Sequence, residues 1–156
     1  MPDASQMLDI FDIALLTGMR RGEILGLTVD EIQKAGNVWR IVKVKHKTAQ
    51  RGHVRRIVLP SQAVDIINRR IAGLGKYQEK LFPISVDRFK GYWRKATKLA
   101  GVKDLHFHDT RHESLSRMAD AGLTLGELQA QSGHKTAQML MRYLNAKPKD
   151  IAEKLG

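Results

Sequence analysis

The residues whose types could do chemistry lie close together in the second half of this 156-residue chain. His108 and Arg111 are three positions apart, His134 follows Ser132 and a glycine, and Tyr143 lies nine residues after His134. Arginine offers a planar fork of donors that matches phosphate oxygens, and it stays charged at any working pH. A tyrosine oxygen can form a covalent intermediate, which divides one difficult displacement into two easier ones. We therefore expect a phosphodiester to be held by arginine and histidine donors while the tyrosine attacks the phosphorus.

The charge balance favours the same class of partner. The chain has 27 Lys and Arg against 16 Asp and Glu, which gives a formal net charge of +11. An excess of this size favours a polyanion, nucleic acid above all, although charge alone also allows a basic protein with no such partner. The cations are spread along the chain and are not gathered in a tail, so a folded basic face is expected.

Length and composition exclude several other classes of protein. The chain is long enough for one domain with a real core, whereas two domains would be cramped. It contains no cysteine, which excludes a disulfide framework and a thiolate metal site. Further histidines have no fixed ligand spacing, and we expect them to serve packing, the surface or DNA contact rather than a metal: His46, His53, His106 and His112. Without a membrane-length apolar run or a signal-peptide pattern, we expect a cytoplasmic protein with no membrane partner.

A buried helix followed by a glycine bend is predicted to present a further arginine. Residues 5–17 are apolar nearly all round, which is typical of a helix buried on most sides. Gly18 suits the end of that helix, and Arg20 follows the bend, where rigid scaffolds often present functional side chains. The alternative for Arg20 is a cation that complements the dipole of the helix C-terminus. Glu23 could pair with an arginine or could be solvent-facing charge.

The pattern then changes from helix to strand. Residues 38–45 and 54–59 are rich in β-branched residues and predict two strands of a small antiparallel sheet. The polar, basic segment 46–53 between them is expected to be a hairpin loop that carries Lys47. This is the densest basic region, and its predicted phosphate contacts are Lys43, Lys45, Arg51 and Arg55. The alternative is a charged sheet edge that resists aggregation.

The remaining segments predict helices. Residues 61–74 and 85–100 carry apolar stripes, and the other face of the second helix is cationic, with Arg94 and Lys95 expected near the DNA backbone. A helix starting near His108 is followed by a second helix, which Thr124 and Glu127 open with a capping box. A helix from Thr136 would place Ala137, Leu140, Met141 and Leu144 on its apolar stripe and Tyr143 at the edge. A last short piece begins at Pro148, and it must dock somewhere because it is too short to be stable alone.

These residues together resemble the tyrosine recombinase (phage integrase) family. One His-x-x-Arg pair would be a weak signal, but the chain holds six characteristic positions in the family's order, across nearly its whole length: Arg20, Lys47, His108, Arg111, His134 and Tyr143. Details around Arg111 and His134 resemble the subgroup of prophage integrases and shufflon-type invertases. Two departures stand out, since Glu113 replaces a small or hydroxyl residue and Gln131 with Ser132 replaces leucines.

The resemblance implies a mainly α fold with a small antiparallel β-sheet, and an N-terminal DNA-clamping domain that lies outside these residues. It also implies roles. Arg20, Arg111 and His134 would hold the scissile phosphate, and Tyr143 would attack it to leave a 3′-phosphotyrosine link. A phenol ordinarily loses its proton only near pH 10, so it needs help, for which His108 is the candidate base. Lys47 would act as the acid on the departing 5′ oxygen, with Glu23 in support.

Several expectations about partners follow from the same resemblance. Neither a metal nor another cofactor is implied, since the protein–DNA bond conserves the energy of the cleaved one. The partner is double-stranded DNA, with a tetramer on synapsed DNA, a monomer when free and accessory directionality factors. The tail after Tyr143 is expected to pack in cis when free and to exchange in trans on DNA. A type IB topoisomerase-like activity and a decayed DNA-binding module are the alternatives.

Overall fold

The chain is mainly helical with one small antiparallel sheet, as the sequence predicts. A computed structural model describes residues 4–44 and 54–156. Its helices are α1 (Ala4–Thr17), α2 (Arg21–Leu25), α3 (Ser61–Ala72), α4 (Val86–Leu99), α5 (Asp109–Asp120), α6 (Leu125–Ser132) and α7 (Pro148–Leu155). Its strands are β1 (Ile32–Ala35), β2 (Val38–Val44) and β3 (Val54–Val58). Short 3-10 helices span Val29–Glu31 and Ala137–Tyr143, and the second of these is called the Tyr143 segment below.

Within the described residues the sheet has three strands in the order β1-β2-β3, each antiparallel to its neighbour. The pairing of β2 with β3 confirms the sequence prediction, but β1 was missed because it is short and largely polar. Ala35 pairs with Val38, so Gly36 and Asn37 form a two-residue turn. Gly36 has φ +60°, which a glycine adopts readily at the first central position of a tight hairpin. That glycine between two extended segments was the available signal for β1.

Two apolar clusters position the chemically interesting residues. The larger one joins α1, α2, the sheet, α3 and α4, with Ile10, Ile41 and Phe89 among its buried members. The smaller one consists of Leu115, Leu128 and Leu140, which come from α5, α6 and the Tyr143 segment. Helix α1 packs directly against α5. The start of α5 is therefore held beside the end of α1, while the Tyr143 segment rests on the smaller cluster.

The Tyr143 segment differs from its prediction, because it is a 3-10 helix and not an α-helix. With three residues per turn, side chains at i and i+3 share a face, so Ala137, Leu140 and Tyr143 align. Leu140 is buried and Tyr143 is partly buried against the smaller cluster, whereas Met141 is exposed. The predicted α-helical stripe through Met141 is therefore wrong, and the aligned face directs Tyr143 toward α5.

The tail also differs from its expectation. Helix α7 buries none of its described residues, and Ile151 and Leu155 are 48% and 82% exposed. The expectation that the tail packs in cis in the free chain is therefore wrong. Proline at the first position of α7 favours the helix start, but the apolar side chains of the helix stay exposed.

Candidate active site

Arg111 lies at the centre of the site and is only 2% exposed. Its Nη1 donates to the carbonyl of Gly18 at 2.7 Å, and its Nη2 donates to the carbonyl of Ser132 at 2.7 Å. Gly18 has φ +71°, and the bend it makes at the end of α1 presents this carbonyl to α5. The buried guanidinium thus ties the ends of α1 and α6 to the start of α5.

The cations around Arg111 make this point of the molecule strongly positive. Burial, followed by the charges of Arg20 and Arg55, lowers the pKa of Arg111 to about 10. The guanidinium remains protonated at neutral pH, so the crowded positive charge is held in place by the fold. Such an arrangement favours binding of an anion, since a phosphate would relieve the repulsion between the cations.

Arg20 and Glu23 extend the site from the start of α2. The backbone N–H of Arg20 donates to Glu23 Oε1 at 2.9 Å, and the two side chains approach to 3.9 Å. Glu23 Oε2 accepts from Arg55 Nε at 3.0 Å. Burial on its own would raise the pKa of Glu23, but the charge of Arg55 and the hydrogen bonds of Arg55 and Arg20 hold it below its ordinary value. Glu23 is therefore a paired carboxylate, while the Arg20 side chain stays 43% exposed.

Arg55, which the sequence predicts to contact phosphate, is buried and bonds within the protein. Its Nη1 donates to the carbonyls of Ala130 at 3.1 Å and Gln131 at 2.6 Å. The pleat of β3 explains this, since burial alternates along the strand and directs Arg55 inward while Arg56 faces solvent. Gly133 must lack a side chain here, because a Cβ would lie 2.6 Å from Arg55 Nε. Arg55 thereby holds the end of α6 that carries Ser132 and His134.

The two departures from the family pattern have different surroundings. Gln131 is buried, accepts from the N–H of Val58 at 2.9 Å, and donates to the carbonyls of Val58 at 2.8 Å and Thr17 at 3.3 Å. Its amide therefore joins α6 to the outer edge of β3 and to the end of α1, which a leucine could not do. Glu113 is exposed and forms a 3.0 Å pair with Arg117 on the surface of α5.

His134 is arranged as a neutral donor. Its Nδ1 accepts from Arg111 Nη2 at 3.2 Å and lies 2.7 Å from Ser132 Oγ. Arginine can only donate, so Nδ1 carries the lone pair and the ring proton lies on Nε2. Burial, followed by the charges of Arg111 and Arg20, lowers the pKa of His134 to about 4. His134 can thus offer its Nε2–H to a phosphate oxygen.

The hydroxyl of Tyr143 contacts a histidine that was not among the predicted catalytic residues. His112 Nδ1 lies 2.5 Å from Tyr143 Oη, and Arg142 Nη2 donates to that same oxygen at 2.8 Å. His108 is exposed, and its ring lies edge-on to that of His112 with centroids 5.1 Å apart. The signal that could have found His112 is its spacing of four from His108, which places both on one helical face.

A cavity of about 730 Å³ lies beside Arg20 and Arg111, and among the described residues Arg94 is the predicted DNA contact that lines it. Phe89, Trp93 and Phe107 contribute apolar surface, and the lining includes several cations: Arg20, Arg21, Lys90, Arg94 and Arg111. Lys95 is exposed on α4 but does not line this cavity. Lys43 pairs with Glu31 at 3.1 Å. The predicted residues Lys45, Lys47 and Arg51 lie outside the described residues.

Two features are absent from the described parts of the chain. Across residues 4–44 and 54–156, no cluster of three or more His, Cys, Asp or Glu side chains could hold a metal ion. In the same ranges, no helix has the length and apolar character required to span a bilayer.

Comparison with known proteins identifies the family. The phage integrase family matches residues 2–150. This chain belongs to the phage integrase family. It is 35% identical over 147 residues to the shufflon-specific DNA recombinase of Escherichia coli, covering 94% of this chain and 36% of that protein. It is 27% identical over 159 residues to the integrase of Salmonella phage P22, covering 92% and 40%. The family predicted from the sequence is therefore confirmed, and the chain spans under half the length of these two relatives.

Solved structures of family members share the fold. The Tn1549 transposon integrase, in complex with circular intermediate DNA, superposes with a TM-score of 0.73 at 20% identity, covering 97% of this chain and 58% of that one. The catalytic domain of bacteriophage HP1 integrase gives a TM-score of 0.64 at 22% identity, covering 94% and 79%. The predicted fold, a tyrosine recombinase catalytic domain, is thereby confirmed.

Proposed function

We propose that this chain is the catalytic domain of a site-specific recombinase that cleaves and rejoins DNA through a covalent 3′-phosphotyrosine. The observation that carries the proposal is the convergence of Arg20, the buried Arg111 and His134 at one point of the molecule, with a tyrosine held by the neighbouring segment. The naming of its relatives as a shufflon recombinase and a phage integrase supports the same activity. A prophage or mobile-element integrase is the role that fits best.

The chemistry follows from what each side chain can donate. The forks of Arg20 and Arg111 and the Nε2–H of His134 would bind the non-bridging oxygens and stabilise the charge that develops during attack. The Tyr143 oxygen forms a bond to phosphorus as the bond from phosphorus to the 5′ oxygen breaks. The phenol proton passes to a base, for which the family resemblance suggests His108, and the 5′ oxygen takes a proton from an acid, predicted to be Lys47. Rejoining reverses these steps with the 5′-hydroxyl of another strand as nucleophile.

The surface suggests how double-stranded DNA and other protomers are bound. The exposed cations of α4, among them Lys90, Arg94 and Lys95, suit backbone phosphates that flank the scissile one. The uncovered stripe of Ile151 and Leu155 suits docking on a neighbouring protomer, within a tetramer on synapsed DNA. Directionality factors and an N-terminal DNA-clamping domain remain predictions. DNA as substrate would place the protein at the nucleoid.

A trapping experiment tests the proposal. Attachment-site duplexes with a nick just 3′ to the cleavage position lose the short 5′-hydroxyl fragment after attack, which traps the covalent complex on a denaturing gel. We expect an adduct whose DNA is joined through its 3′ phosphate to Tyr143, as read by mass spectrometry. Tyr143→Phe should abolish the adduct and leave DNA binding nearly unchanged. The matched variant Tyr77→Phe, which alters an exposed phenol, should still form the adduct.

The outcomes separate the proposal from its alternatives. Binding without any adduct in the parent chain would indicate a DNA-binding module that has lost its activity. An adduct that rejoins only its own strand, and never a second duplex with a free 5′-hydroxyl, would indicate topoisomerase-like relaxation. An adduct that persists in Tyr143→Phe would show that another residue is the nucleophile.

A further inference from the structure

The atoms around the Tyr143 hydroxyl form a closed triangle of hydrogen bonds. His112 Nδ1 is 2.5 Å from Tyr143 Oη, Arg142 Nη2 is 2.7 Å from His112 Nδ1, and the same Nη2 is 2.8 Å from Tyr143 Oη. The Arg142 guanidinium also lies over the Tyr143 ring, 4.9 Å from its centroid. Three side chains from α5 and the Tyr143 segment are thus fixed about one oxygen.

The direction of each hydrogen bond in this triangle follows from donor chemistry. A guanidinium has donors and no acceptor, so Arg142 must donate to both His112 Nδ1 and Tyr143 Oη. His112 Nδ1 therefore carries a lone pair, and the ring proton lies on Nε2. With its oxygen already accepting from Arg142, the phenol directs its own O–H at that lone pair, which the phenol and Arg142 donors therefore share. The contact between Tyr143 and His112 is then a phenol donating to a neutral imidazole.

We propose that His112 is the general base that takes the phenol proton of Tyr143 during DNA cleavage, and that Arg142, which donates to both atoms, keeps the His112 lone pair at Nδ1 and stabilises the charge that develops on the phenol oxygen. The inference rests on the function proposed above and replaces the base role expected for His108. His112 contacts the reacting oxygen directly, whereas His108 packs edge-on against the His112 ring.

The proposed step is balanced in atoms and charge. Tyr143 Oη bonds to phosphorus while its proton moves to His112 Nδ1, which leaves an imidazolium. The bond from phosphorus to the 5′ oxygen breaks, and that oxygen takes a proton from a separate acid. In rejoining, His112 returns its proton to the phenol as the 5′-hydroxyl attacks. Arg142, which donates to the same oxygen, favours the negative charge that develops there as the proton leaves.

The surroundings of His112 keep it in the form that a base needs. Burial, followed by the positive charge of Arg142 and the neighbouring His108, lowers the pKa of His112 below its ordinary value. The carboxylate of Asp109 acts in the opposite direction, and Arg111 adds to the lowering. His112 is accordingly neutral at pH 7, and its activity as a base is lost only when the pH falls through this lowered pKa.

The decisive variant is His112→Asn, because the amide oxygen can replace Nδ1 as a hydrogen-bond acceptor but cannot accept a proton. The single-turnover rate of adduct formation should fall by about 10²- to 10⁴-fold, the usual contribution of a general base. The parent rate should be flat near neutral pH and fall in acid, whereas the variant rate should rise steadily with pH as hydroxide replaces the base. Glu113→Gln, a neighbouring surface change on α5, should behave like the parent.

A sulfur substrate distinguishes a base from an acid. When sulfur replaces the bridging 5′ oxygen, the leaving thiolate needs no proton, so loss of an acid is rescued and loss of a base is not. We expect His112→Asn to remain slow on this substrate. Arg142→Gln should move the acid limb of the pH profile to higher pH, because a charge that lowers the His112 pKa is gone, and Arg142→Lys should restore part of the parent profile.

Each outcome decides the inference. A parent-like rate and pH profile in His112→Asn would overturn it, as would rescue by the sulfur substrate, which would make His112 an acid. His112→Gln provides the same comparison if the asparagine variant fails to fold by circular dichroism. A parent chain that forms no adduct on any DNA overturns the proposed function and this inference with it. If the parent forms an adduct and His112→Asn forms it at the same rate, this inference alone is overturned.

Discussion

Replacing Arg55 with Met should destabilise the protein far more than a typical surface substitution. The change leaves Glu23 buried without its 3.0 Å partner and removes the donors to two α6 carbonyls at 3.1 and 2.6 Å. The side chains of Arg55 and Glu23 are only 8% and 15% exposed, so solvent screens the pair weakly. Removing one partner of such a pair typically costs about 3–5 kcal/mol, a large part of the roughly 5–15 kcal/mol that stabilises a domain.

Urea unfolding followed by tryptophan fluorescence measures the effect. With a slope of roughly 2 kcal/mol per molar urea, the midpoint should fall by about 2 M. Arg56→Met is the matched control, because Arg56 is the neighbouring cation on β3 and faces solvent, so it should change stability by under about 0.5 kcal/mol. Glu23→Gln completes a double-mutant cycle, since glutamine keeps an acceptor for the Arg20 N–H while it removes the buried charge.

The double-mutant cycle and the pH dependence test whether the buried ion pair between Arg55 and Glu23 causes the loss of stability. The double variant should be more stable than the sum of the single effects predicts, with a coupling of about 1–3 kcal/mol. Because the pKa of Glu23 is lowered in the folded state, the ion pair stabilises fully above the unfolded value of about 4.3, and this is lost as the pH falls through the lowered value. The difference between the parent and Arg55→Met should therefore shrink below about pH 4. A loss under about 1 kcal/mol at pH 7, or strictly additive effects, would refute the reasoning.

Other expectations concern activity and assembly. Adduct formation should persist in EDTA, because arginines and a histidine bind the phosphate; loss in EDTA that magnesium restores would contradict this. DNA affinity, measured by fluorescence anisotropy, should fall steeply with salt because backbone charge supplies most of it, and tight binding that barely responds to salt would show base readout within these residues. Replacing both Ile151 and Leu155 with Ser should leave the urea midpoint unchanged, since neither is buried, but should weaken synapsis and cleavage together. Light scattering should show the parent as a monomer when free, because one short stripe buries too little area for a stable dimer. A double variant that assembles and cleaves normally would show that the tail takes no part in assembly.

Much of the fold could be predicted from the sequence because helix caps, bends and apolar stripes depend on residues only a few positions apart. The Thr124–Glu127 capping box forms as expected, with hydrogen bonds of 3.0 and 3.2 Å that satisfy backbone donors at the start of α6. Gly18 adopts the positive φ that a bend after a buried helix favours. Helices α1, α3 and α4 begin and end within a few residues of their apolar stripes. Each of these features depends on neighbours within a few positions, so the chain itself specifies them.

The orientation of charged side chains depended on partners that are distant in sequence. Arg55 belongs to the most basic stretch, yet its partners lie 32, 75 and 76 residues away, and only the packing of β3 against α6 turns it inward. Gln131 likewise bonds across 73 and 114 residues. A buried polar group is tolerated only where it has hydrogen-bond partners, and spacing in the sequence does not predict partners that are distant along the chain.

The chemistry divides in the same way. The sequence by itself determined the family and the residue types that can bind and attack a phosphate, since those types in that order suit one kind of reaction. Only the tertiary structure decided that His112, and not His108, meets the phenol, because the Tyr143 segment is a 3-10 helix packed on the smaller cluster. It also decided that α7 stays uncovered, since burial of an apolar stripe depends on a complementary surface and not on the stripe.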